Sequence, residues 1–100
     1  MTAFVALLTI HLHFPDAASL KAKRKDLSSV KAQLQTRLGC AVSEVDHQDL
    51  WQRATLAAAV VGGSQSAVEH RAYGVERFLD ARFPQGVRVE RTVAAFEEIV

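Results

Sequence analysis

Over the first fourteen residues the apolar positions recur at every second residue: Phe4, Ala6, Leu8, Ile10, Leu12 and Phe14. That period is one face of a β-strand. The interleaved set, Val5, Leu7, Thr9, His11 and His13, starts apolar and ends polar. A strand apolar on both sides belongs inside a sheet, and Pro15-Asp16 ends it. The period then changes. Leu20, Leu27, Val30, Leu34 and Leu38 fall within about 80° of one another at 100° per residue, which predicts one buried stripe of a helix. Ser19, or Asp16 one turn earlier, is its N-cap and Gly39 its C-terminal stop. Cys40 to Val45 reads as a short second strand, Asp46-His47-Gln48-Asp49 as a turn, and Ala54 to Val61, bounded by Gly62-Gly63, as a third strand.

A second helix is predicted to open with Ser66-Ala67-Val68-Glu69, a capping-box pattern, and to bury Val68, Ala72, Val75 and Leu79 with Phe78 beside them. Gly74 costs about 1 kcal/mol against Ala in a helix interior, so it reads as a point of close packing. Phe83-Pro84 and Gly86 close the segment. Val87, Val89, Arg91 and Val93 then alternate with Arg88, Glu90 and Thr92 as a half-exposed fourth strand.

The order β-α-β-β-α-β is the split βαβ arrangement of an α+β, ferredoxin-like sandwich: a four-stranded antiparallel sheet with two helices on one face. Right-handed crossovers put strands one and three at the centre, for a strand order 4-1-3-2. Residues 1–100 form a single domain on this reading. With the helices covering the Phe4-to-Phe14 side, the open side of the sheet carries Val5 and Leu7 followed by Thr9, His11 and His13. The aromatics on which bases stack in sheet-binding RNA modules are missing from the two central strands in that register. A small apolar face is instead what a second copy or a partner would cover, so Val5 and Leu7 are candidates for a dimer face.

Composition narrows the class without naming an activity. Hydrophobic residues at 49% and charged residues at 23% exclude disorder. The apolar stretches Ala3-to-Leu8 and Leu56-to-Val61 are too short to span a membrane, and Met1-Thr2-Ala3 lacks the basic start of a signal peptide, so a cytoplasmic location is expected. The one cysteine, Cys40, excludes a disulfide framework and a Cys-rich zinc site, and reads as a small core residue. His11 and His13 share a strand face, as zinc-ligating His-x-His pairs do. A third ligand is missing unless the fold brings His47 or His70 near, so they read as solvated histidines. Gly62-Gly63-Ser64 lacks the Lys and spacing of a phosphate loop. Acylphosphatases share this fold and size, but Phe14-Pro15-Asp16-Ala17 does not resemble their glycine-flanked, Arg-bearing loop. A non-catalytic protein without cofactor or metal is expected.

Charge is unevenly placed. The whole chain carries +1, but residues 20–38 hold Lys21, Lys23, Arg24, Lys25, Lys31 and Arg37 against Asp26, or +5. Such a helix is an anion-binding footprint, with RNA phosphates the commonest large target. Lys21, Lys23, Arg24, Lys25 and Lys31 are therefore candidate nucleic-acid contacts, Lys23 lying nearest the apolar stripe with its stem passing the core edge. Between strands two and three, Gln48, Asp49, Trp51, Gln52 and Arg53 form a candidate recognition loop. The structural expectation there is that Trp51 and Leu50 pack beneath the loop while Asp49 and Arg53 tie the turn.

These segments also carry a resemblance. Ser19-Leu20-Lys21-Ala22-Lys23-Arg24, Val42-Ser43-Glu44-Val45 and Gln48-Asp49-Leu50-Trp51-Gln52-Arg53-Ala54-Thr55-Leu56 are similar to the YlxP-like family of small bacterial proteins of uncharacterised function. The resemblance covers nearly the whole chain and implies a ferredoxin-like fold. It also implies a link to translation, since family genes often lie beside those of ribosome-maturation and initiation factors. It brings no catalytic residue, substrate or cofactor. The combined expectation is a binding module whose partner is rRNA or a ribosomal particle; the alternative is a homodimeric protein-interaction or small-ligand module using the open sheet face.

Overall fold

A computed structural model describes residues 2–84 and 86–100. The alternating first segment forms β1 (Phe4–His13), followed by α1 (Leu20–Thr36), β2 (Ala41–Asp46), β3 (Arg53–Gly62), α2 (Gln65–Arg82), β4 (Val87–Ala95) and a short α3 (Phe96–Ile99). The sheet order is β2-β3-β1-β4, all neighbours antiparallel. This is the expected ferredoxin-like arrangement, with the two most apolar strands at the centre. The sequence pattern does not anticipate α3. Its first amide, Phe96 N, donates to Ala3 O at 2.9 Å, and the Ala95 amide donates to Glu98 Oε1 at 2.8 Å.

Ser19 caps α1 as expected, its Oγ accepting from Ala22 N at 3.1 Å. The cap of α2 is Ser64, which accepts from Ala67 N at 3.2 Å. The helix therefore begins before the predicted Ser66, because a serine two residues upstream already supplies the side-chain acceptor. Gly39 stops α1 with φ +66, in the left-handed region where glycine carries no Cβ penalty. Arg71, on α2, fixes that turn: Nη2 donates to Gly39 O at 2.9 Å and Leu38 O at 3.3 Å, while Nη1 donates to Val61 O at 2.9 Å. Gly74 does not mark close packing. A Cβ there would meet Leu38 Cδ2 at 3.9 Å, an ordinary contact.

One core lies between sheet and helices. It takes Ala6, Leu8, Ile10, Leu12 and Phe14 from the predicted face of β1, and Ala54, Leu56, Ala58 and Val60 from β3. Leu27, Val30 and Leu34 of α1 and Val68, Ala72, Val75 and Leu79 of α2 close it from above, with Cys40 among them. Phe14 and Phe83 meet edge to face at one end, centroids 5.4 Å apart. The α1 layer packs over β2, and α2 over β1, β3 and β4.

Neither α1 nor α2 covers the other side of the sheet, where Val5 and Thr55 are nonetheless buried by their neighbours, and the register arranges it in rows. Val61, Val5 and Ala94 form one row; Ala41, Ala59, Leu7 and Thr92 the next. Ser43, Ala57, Thr9 and Glu90 follow, then Asp46, Thr55, His11 and Arg88. The face is thus apolar at one end of the strands and charged at the other.

Candidate nucleic-acid interface

The solvent side of α1 is built by the stripe that holds its other side down. With Leu27, Val30 and Leu34 buried, a 100° step places Lys21 and Lys25 outward, and Arg24 and Lys31 on one flank. Ala22 and Asp26 occupy the opposite flank. They face a cleft of about 390 Å³ shared with Phe14, Asp16, Arg82 and Phe83. Asp16 and Asp26 beside Arg82 leave that cleft without positive excess, so the flank carrying Arg24 and Lys31 is the one suited to an anion. Lys21, Arg24 and Lys25 are exposed and Lys31 is half-buried. Among the described residues none of these four is paired with a carboxylate.

Lys23 departs from the expected set. It is only 1% exposed, in the middle of the α1 stripe. Its Nζ donates to His47 O at 2.7 Å and stands 3.2 Å from Glu44 Oε2, which is offset from the hydrogen-bonding directions and interacts as an ion pair. Glu44 reaches it because the β2 register pairs Glu44 with Leu56, on the helix-covered side. Lys23 is therefore not a phosphate contact: its charge is neutralised inside the fold. The remaining basic residues of 20–38, less Asp26, leave +4 at the surface.

The same lysine settles where the β2–β3 loop stands. By holding the His47 carbonyl it fastens this loop to the N-terminal half of α1. Gln52 Nε2 fastens the far side through Pro15 O at 3.2 Å, and Phe14 N donates to Gln52 O at 2.8 Å. His47 takes φ +64, its amide donating to Asp46 Oδ1 at 2.7 Å and its Nδ1 lying 2.9 Å from Thr55 Oγ1. The turn is thus tied by Asp46 and Gln52. Among the described residues Asp49 and Arg53 make no side-chain hydrogen bond.

Trp51 and Leu50 overturn the expected packing. Trp51 is 52% exposed and Leu50 45%. Polar contacts from Lys23 and Gln52 hold the loop's underside, so the two apolar side chains stand outward. They border an open depression with Asp49, Gln52, Arg53 and His13. Gln48, Asp49, Gln52 and Arg53 are all exposed. The structure brings Gln52, Trp51 and Arg53 to the end of the molecule where α1 begins, and leaves Val5 and Leu7 on the other layer and at the other end of the sheet. Glu44 and Arg71 were missed as organising residues. A charged residue inside the α1 stripe at position 23 was the available signal that an opposite charge must lie on the covered side of a strand.

His11 and His47 flank Thr55, which pairs with His11 across the sheet and bonds the His47 ring. His11 Nε2 lies 2.8 Å from Glu90 Oε1, His47 is bonded to Thr55, and His70 stands exposed on α2. Among the described residues no three His, Cys, Asp or Glu side chains gather as a metal site would require. Nor, among them, is any helix long and apolar enough to cross a membrane.

The chain matches the family model of a protein of unknown function (DUF503) over residues 5–93. It is 35% identical over 82 residues to the uncharacterized protein YlxP of Bacillus subtilis, covering 82% of this chain and 85% of that protein. Among solved structures it is similar to the de novo designed protein Foldit4, with a TM-score of 0.54 and 11% identity across 90% of this chain and 96% of that one. It is also similar to part of the VAO-type flavoprotein MtVAO713 from Myceliophthora thermophila, with a TM-score of 0.55 and 16% identity across 96% of this chain but 18% of that one. At these identities the two structures speak for the fold alone.

Proposed function

The chain belongs to the DUF503 family of proteins of unknown function, and from that premise we propose that it is a binding module for single-stranded RNA, of the kind that rRNA presents on a ribosomal particle. Lys21, Arg24, Lys25 and Lys31 contact phosphates, Trp51 offers a ring to an unpaired base, and Gln48, Gln52 and Arg53 supply polar contacts to base edges or backbone. The observation that supports this reading is the outward Trp51, 52% exposed, on a loop pinned to a basic helix whose Lys21, Arg24, Lys25 and Lys31 make no ion pair among the described residues. Single-strand binders combine these two elements, a basic track for the backbone and an aromatic for the bases. Bases would stack at the loop, since the open sheet face lacks aromatics.

Trp51 is the sole tryptophan, so its emission reports on the site directly. Titration with a single-stranded RNA oligomer should quench it. The affinity should fall with salt, with log K against log[salt] sloping at about −3, or −0.7 for each of four phosphates neutralised. Lys21→Ala, Arg24→Ala and Lys25→Ala together should flatten the slope by about 2 without unfolding the domain. Trp51→Ala should weaken binding by roughly 5- to 100-fold. Purified ribosomal subunits should show the same salt dependence and the same loss in the triple variant. Unquenched emission at saturating RNA, or a salt slope unchanged in the triple variant, would sink the reading.

A further inference from the structure

The apolar end of the open sheet face has a pattern that the RNA reading does not use. Leu7 and Val61, on the two central strands, are 47% and 55% exposed, while Val5 between them and its neighbours is already buried within one chain. Beside Leu7 on the adjacent strand stands Ala59, and beside Thr9 stands Ala57. A protruding leucine next to a line of alanines is a knob beside a hole. The charged side chains of the face, Asp46, Arg53, Arg88 and Glu90, sum to zero, so a second copy meets no net repulsion.

We infer that this face binds a second copy of the same chain, sheet on sheet, about a two-fold axis running along the strands between β1 and β3. Such an axis exchanges β1 with the partner's β3 and β4 with the partner's β2, while keeping each row on its own level. Leu7 then fills the space over Ala59 of the partner subunit, and the reciprocal contact forms by symmetry. The exposed Val61 comes over the level of the row that holds Val5 of the partner subunit, which is already buried and adds little contact. At the charged end, Arg88 comes over Asp46 of the partner subunit, because these two residues end the same row on opposite edges. The other face-to-face two-fold, perpendicular to the strands, lays Leu7 and Val61 on the level of His11, Glu90 and Arg88. It would bury charge against hydrocarbon without a partner, which is strongly unfavourable.

Four strands about 4.8 Å apart, of six to ten residues each, present about 600 Å² a side, near the lower limit of specific interfaces. An interface of that size is compatible with a reversible dimer, its affinity set by the packing of Leu7 and the Arg88–Asp46 contact and not by area. The axis keeps both β2–β3 loops at one end of the assembly, so the inference stands whether or not RNA binds there.

Sedimentation equilibrium of the full chain from 1 to 100 µM tests it. The expected result is a monomer–dimer equilibrium, reduced to monomer by Leu7→Glu, with circular dichroism confirming that this exposed position leaves the fold intact. Asp46→Arg, which also removes the acceptor of the His47 amide and so needs circular dichroism beside it, should weaken association at least tenfold by setting two cations face to face, and Asp46→Arg combined with Arg88→Asp should return it to within about threefold of the original. A chain that remains monomeric at 100 µM leaves the face to some other partner and overturns the inference. So does a dimer indifferent to Leu7→Glu, or a charge swap whose two losses add instead of cancelling.

Discussion

Lys23 sits where the helical period asks for a hydrophobic side chain, and its ammonium is held by one carbonyl and one carboxylate. Removing one member of a buried pair strands the other, at a cost of about 3–5 kcal/mol. Lys23→Ala should therefore lower the urea midpoint sharply, whereas Lys23→Met, which keeps the stem in the stripe, should lose less. Equal losses would show that the charge, not the packing, is what position 23 contributes. Cys40 gives a second residue-level expectation. Burial pushes its thiol above the ordinary range, and the Arg71 guanidinium pulls it back by less. The helix dipole is not needed to explain this. Because the folded chain holds the proton more firmly than the unfolded chain, the resulting stability is complete below the ordinary thiol pKa. It is lost as pH rises towards the raised folded value. Alkylation at pH 8 should be slow in the native protein and fast in urea, and rapid native labelling would contradict the burial.

At the scale of elements, α1 opposes its own dipole. Its first turn holds no acidic residue, while Lys21 stands there and Arg24 and Lys25 follow. Cations at a helix N-terminus are unfavourable, and anions there are favoured by about 0.3–1 kcal/mol. Lys21→Glu should accordingly raise the melting temperature by a few degrees while weakening RNA binding several-fold. A helix selected only to fold would not show that opposition, and a variant that gains stability without losing affinity would remove Lys21 from the interface. The β2–β3 connection shows the converse: its backbone is held tightly by Lys23 and Gln52, and the side chains it displays, Leu50 and Trp51, are free to contact something else.

Across the whole molecule, protection from solvent follows position in the sheet. β1 is hydrogen-bonded on both sides and covered by the core, while β2 and β4 are edges and α3 hangs from the end of β4. Native-state hydrogen exchange should find the slowest amides in β1 and β3 and the fastest in β2 and α3. Protection in β2 as strong as in β1 would contradict its place at the edge of the sheet. The basic side of α1 with the Trp51 loop lies away from the apolar end of the sheet, so Leu7→Glu should remove self-association while leaving RNA binding in place.

Periodicity determined most of this architecture from the sequence alone. The two-residue repeat of Phe4 to Phe14 identified the covered face of β1, and the helical stripes identified Leu27, Val30, Leu34, Val68, Ala72, Val75 and Leu79, because burial repeats with the geometry of each element. The strand order followed from handedness and from which segments were apolar. What the tertiary structure decided were relations between distant segments: that Lys23 meets Glu44 and the His47 carbonyl, that Trp51 and Leu50 face outward, that Ser64 caps α2, and that the tail closes as α3. None of these has a period. Each depends on which backbone and side-chain partners the packed layers bring within hydrogen-bonding distance, and a linear pattern carries that information only after the register between strands has been set.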